Sequence, residues 1–72
     1  MKVGDVVMFI DEGVFARWFF GQVGVVKRYT PRGSDGKPHC RVEWLQPIPY
    51  HNMDCTVSDF AAEKFEVYNE YL

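Results

Sequence analysis

The sequence predicts an all-β fold: a small five-stranded barrel with one short 3-10 or helical turn before its last strand. Three observations predict it. Short β-prone runs alternate with clusters of Gly, Pro, Asn and Asp. Within residues 39–45, the apolar Cys40, Val42 and Trp44 alternate with the polar Arg41 and Glu43. No connection is long enough for the crossover helix that a parallel pair would need. The 72 residues leave room for one domain, assigned to 1–68, with 69–72 as a C-terminal tail. A chain this short hides only about 60% of its unfolded surface on folding. Its 47% hydrophobic content, with 17% aromatic residues, is adequate for such a core, since each buried aromatic removes about 150–250 Å² from water.

Residues 6–10 read as the first strand, entered through Gly4-Asp5 and ended by Asp11-Glu12-Gly13. Residues 14–21 hold Phe15, Trp18, Phe19 and Phe20 without a clear period, and read as a long, partly packed loop. Residues 22–29 form the second strand, where Gly24 signals a bulge or a close backbone approach. Residues 30–38 are dense in turn formers, and Asp35-Gly36 marks a tight hairpin, because Gly accepts positive φ. The third strand follows at 39–45, with Cys40, Val42 and Trp44 on the core face and Arg41 and Glu43 outside.

Pro47 and Pro49 are expected to break that pattern and leave 47–54 as a loop. A short strand at Thr56-Val57 follows. Ser58-Asp59 then resembles a helix start, with room for one turn over 60–64. Residues 65–68 make the last strand. The expected core is Val6, Met8, Val23, Val26, Val42, Trp44, Phe60, Phe65 and Val67.

Several motifs resemble the framework of SH3-like barrels: Val3-Gly4-Asp5-Val6-Val7, Gly21-Gln22-Val23-Gly24-Val25-Val26 and Val42-Glu43-Trp44. The pattern is similar to the photosystem I reaction-centre subunit IV family through Arg17-Trp18-Phe19, Arg41-Val42-Glu43-Trp44 and the turn before Phe65-Glu66-Val67. It also resembles the C-terminal barrel of the nitrile hydratase β subunit, through Gly4-Asp5-x-Val7, Ala16-Arg17-Trp18, Gly21 and Gly24. These resemblances imply an SH3-like barrel acting as an accessory subunit. The photosystem I family is typically basic and helps dock ferredoxin, whereas this chain has a net charge of −2. The paired tryptophans and Ser-Asn-Tyr turn of signalling SH3 domains are absent from the sequence, so polyproline binding has no support from residues.

Function is sought in four constellations. His39, Cys40, His51 and Cys55 are the residue types of a metal site, but His39 and Cys40 point to opposite faces of one strand. No metal or cofactor is therefore expected. Cys55 with His51 or His39 could form a nucleophile and base, yet so small a barrel has little room for a substrate pocket, and an enzyme is not expected. The basic hairpin Lys27, Arg28, Arg32, Lys37 and Arg41 could track a nucleic-acid backbone, as in KOW-type barrels. Charge is uneven: residues 1–41 carry a balance of +3 and residues 42–72 a balance of −5.

Trp18, Phe19, Phe20, Pro47, Pro49 and Tyr50 form the fourth constellation, a candidate protein-docking surface. Four aromatics between residues 15 and 20 are too closely spaced for one interior, so at least two should be exposed beside Tyr50. The expected function is a non-enzymatic protein-binding module. A protein partner or a second copy would cover the aromatic loops, and the basic hairpin is the alternative. No apolar run is long enough for membrane insertion. The first residues show no signal-peptide pattern, and the two cysteines, expected to be reduced, fit a cytoplasmic location.

Overall fold

The computed structural model describes residues 1–68; the tail expected at 69–72 lies outside them. The strands are β1 (Val6–Phe9), β2 (Val23–Thr30), β3 (His39–Tyr50), β4 (Met53–Ala61) and β5 (Phe65–Val67). A one-turn helix α1 (Ala16–Phe19) precedes β2, and a 3-10 turn (Ala62–Lys64) precedes β5. All pairs are antiparallel, in the order β4-β3-β2-β1-β5. The all-β, five-stranded prediction with a turn before the last strand holds.

The sheet is strongly curled. The rings of Phe9 on β1 and Phe60 on β4 lie 5.0 Å apart, although two strands separate them in the sheet. A flat sheet would hold them about 14 Å apart, three strand spacings of about 4.8 Å. The enclosed core comprises Val7, Phe9, Phe19, Val26, Cys40, Val42, Trp44, Ile48 and Phe65. Gly24 sits opposite Trp44. A Cβ there would meet the Val42 side chain and stand 2.7 Å from the Glu43 carbonyl oxygen, so the close approach expected from its position is present.

Cys40, Val42 and Trp44 face inward as their alternation predicts. Strand β1 has the opposite register from the one expected. Val7 and Phe9 are buried, and Val6 and Met8 face outward. Four apolar residues in a row carry no alternation, so either face was available to the core. Val23 and Phe60 are only partly buried, and Val67 is exposed, while Cys40, Ile48 and Phe19 replace them in the interior.

The prolines do not end β3. Pro47 and Pro49 lie within it, because β2 pairs with β3 only as far as Trp44. Beyond that point β3 has one open side, where a residue without an N–H is tolerated. Glu43 pairs with Val57 and Ile48 with Cys55, so residues 44–47 stand opposite Thr56 alone. This wide bulge pushes Leu45, Gln46 and Pro47 into solvent and returns Ile48 to the core. The expected loop over 47–54 shrinks to the turn His51-Asn52. Both residues have positive φ, 49° and 62°, the pattern of a two-residue hairpin whose twist matches its strands.

Ser58 and Asp59 belong to β4 and cap no helix. The 3-10 turn begins three residues later, and no side chain caps it.

Candidate docking surface

The crowded aromatics are sorted by α1. One helical turn places Phe15 and Phe19 on the same face, four residues apart. Both turn inward, and their rings pack on Phe60 at 5.4 and 5.3 Å. Phe19 is 2% exposed and stacks on Trp44 at 5.4 Å. It is a core residue, which corrects its assignment to the docking surface. Phe15 and Trp18 are half-buried, and of the four only Phe20 is exposed, at 50%. The expectation of at least two exposed rings therefore fails by one. A helical turn separates side chains by about 100° each, which an extended loop does not.

Trp18 and Tyr50 meet as expected. Their rings are edge-on, 4.9 Å between centroids. His51 joins them, 5.1 Å from Trp18 and 4.3 Å from Tyr50. Its left-handed backbone conformation is one that histidine adopts more often than most residues other than glycine, and the turn brings its ring against both partners. The Arg17 guanidinium lies over the Trp18 ring at 4.9 Å, a cation–π contact. From Tyr50 a groove of about 500 Å³ runs along the start of β4, lined by His51, Met53, Cys55 and Val57 among others. Met53 is 73% exposed. Pro47 and Pro49 are exposed on the neighbouring strand.

Arg17, His51 and Met53 were not foreseen at this surface. Arg17 reaches it from α1, a single turn too short to be read as a period. The placement of His51 and Met53 depends instead on the two-residue turn, signalled in the sequence by Asn52, a residue that tolerates positive φ.

The basic hairpin is largely answered by acids of the C-terminal half. Lys27 faces Glu43 at 3.9 Å, and Lys37 faces Glu63 at 3.5 Å. The Arg41 Nε and Nη2 donate to the two carboxylate oxygens of Asp59 at 2.9 and 3.1 Å. Those bonds hold the Asp59 carboxyl below its usual range and raise Arg41 above its own. Arg28 and Arg32 have no hydrogen bond or ion pair among the described residues.

Both thiols are free. Cys40 is buried, and burial pushes it up to about 11, with the charge of Asp59 adding to the effect. A thiol so shifted is a poor nucleophile at neutral pH. Cys55 lies 3.1 Å from the Ser58 hydroxyl and donates to the Val57 carbonyl at 3.4 Å. His39 Nε2 is engaged by Asp35 at 2.9 Å. Neither cysteine has a histidine among its hydrogen-bond partners in the described residues.

No family model, no curated protein and no solved structure matches the chain. Among the described residues no helix is long and apolar enough to cross a membrane.

Proposed function

We propose that this chain is a non-enzymatic protein-binding module, an accessory or adaptor component of a larger assembly. The observation that carries it is the partly open Trp18–Tyr50–His51 cluster, continued by the exposed Met53 along one groove. Aromatic and methionine side chains held at a surface, rimmed by an arginine, are the groups that anchor protein interfaces. Phe20, Pro47 and Pro49 are further exposed apolar side chains. The resemblance to an accessory protein through Arg17-Trp18-Phe19 points the same way. Ion pairs answer three of the hairpin's five basic side chains, Lys27, Lys37 and Arg41, which weighs against a polynucleotide track.

The test is affinity capture from the native host with the wild-type chain and with Met53→Ser and Phe20→Ser variants. Both side chains are exposed, so both variants should fold, as thermal melts would verify. The reading expects a discrete partner that the wild type retains and the variants lose. A truncated anchor typically costs about 2 kcal/mol or more, roughly thirtyfold in affinity. Identical captures by all three chains would overturn it.

A further inference from the structure

Strand β2 carries an irregularity that the docking surface does not use. Val26 pairs with Val42 and Arg28 with Arg41, so Lys27 is an extra residue, a β-bulge. Val26 is buried. In an unbroken strand the residue two positions on would also face inward, which would send Arg28 to the core and Tyr29 to solvent. The bulge reverses that parity. Tyr29 packs against the core opposite Cys40, and Arg28 emerges on the outer face directly across from Arg41.

Two like charges opposite one another on a ladder are unfavourable. One carboxylate answers them. Asp59 pairs with Arg41 on the far side and takes both of its hydrogen bonds. Arg28 is left as a guanidinium with five donors and no hydrogen-bonded partner among the described residues. The hairpin loop curls over this row. Gly33 approaches the His39 ring so closely that a Cβ would clash with it, and Asp35 holds that ring through its Nε2. The result is a groove of about 260 Å³ whose lining includes Arg28, Arg41, Asp59, His39 and the hydroxyl residues Thr30 and Ser34.

We propose that this groove is a binding site for a single phosphate group, free or as a phosphomonoester, with Arg28 as its principal ligand. A planar guanidinium matches a phosphate bidentately, and a lysine would not supply that fork. The hydroxyls of Thr30 and Ser34 supply further donors around the same opening. Asp59 limits the affinity, since its carboxylate faces the groove and occupies Arg41. The site shares no residue with the proposed docking surface, so either can fail without the other.

The experiment is a titration of the ¹⁵N-labelled full chain with inorganic phosphate, followed by amide and arginine Nε shifts at constant ionic strength. Saturable shifts at Arg28, Thr30, Gly33 and Ser34 are expected, with a dissociation constant on the order of a millimolar. Arg28→Gln should weaken binding at least about tenfold while leaving other shifts in place. Asp59→Asn should tighten it severalfold, because Arg41 is released and a repelling charge removed. Shifts that stay linear, or that spread evenly over all lysines and arginines, would overturn the site. So would an unchanged affinity in Arg28→Gln. A phosphomonoester should compete for the same shifts. A short single-stranded oligonucleotide should bind no tighter than a few phosphates; saturation at micromolar concentration would instead assign the groove to a polynucleotide.

Discussion

The indole N–H of Trp44 donates to the Ser58 hydroxyl across 3.0 Å, joining β3 to β4 at the core. Ser58 Oγ is in turn 3.1 Å from Cys55 Sγ. A buried indole needs such a partner, because an orphaned N–H loses its hydration without compensation.

Replacing Trp44 by Ala should cost about 3–5 kcal/mol, through lost burial and the cavity it leaves under Phe19 and Phe65. That approaches the whole stability of a domain this small. Ser58→Ala should cost about 1–3 kcal/mol, the penalty of leaving the indole donor unpaired. Trp44→Phe combined with Ser58→Ala should cost less than the two singles added, since no donor is then stranded. Urea melts of these variants, with Trp44→Phe alone completing the cycle, read the costs. Ser58→Ala indistinguishable from the wild type would show that water replaces the hydroxyl.

What the sequence revealed follows from where one face of a strand differs from the other. Cys40, Val42 and Trp44 alternate with Arg41 and Glu43, and that face was legible. Val6, Val7, Met8 and Phe9 are all apolar, so period two had nothing to select. Phe15 and Phe19 at four-residue spacing were the one trace of α1, but a single turn is too short for a period to be read. Pro47 and Pro49 misled because proline excludes a paired side, and β3 lacks one beyond Trp44. The Trp18–Tyr50 contact was expected from the crowding of four aromatics between residues 15 and 20 beside Tyr50. The pairing of the basic hairpin with Glu43, Asp59 and Glu63 was not, because it depends on cross-strand register, which charge counts along the chain do not carry.

Cys40 makes stability fall in alkali. Its thiol titrates near 9.0 when unperturbed and near 11 in the fold, where burial disfavours the thiolate. The folded state therefore holds the proton more tightly. The contribution is full below pH 9 and is lost as pH rises from there towards 11, to a limit of about 2–3 kcal/mol. Urea midpoints measured between about pH 8 and pH 11 for wild type and Cys40→Ala would check this. The wild type should lose the advantage it holds at pH 8, and the gap between the two curves should close. A constant gap would mean that the thiol is no harder to ionise in the fold than outside it. A thiol reagent at pH 8 should label Cys55 in the native protein and reach Cys40 only on unfolding.

The bulge at Lys27 yields the sharpest structural test, because between Gly24 and Thr30 it alone lacks a partner on β3. Lys27→Ala removes an exposed ion pair of 3.9 Å with Glu43, and should change stability by no more than about 0.5 kcal/mol. Deleting Lys27 is the more informative change. With the residue gone, Val26 still meets Val42 and Arg28 still meets Arg41, now on an uninterrupted ladder. Tyr29 stays inward opposite Cys40. The deletion should therefore fold with every other β2–β3 pair intact, losing only the local twist that a bulge adds. Deleting Gly24 should instead be ruinous. The ladder would then carry Val23 into the position facing Trp44, where a Cβ meets the Glu43 backbone and the Val42 side chain. Cross-strand nuclear Overhauser effects between Tyr29 and Cys40 would decide the matter. Their loss in the Lys27 deletion, or an unfolded chain, would show that the bulge itself and not the register holds the hairpin over the outer face.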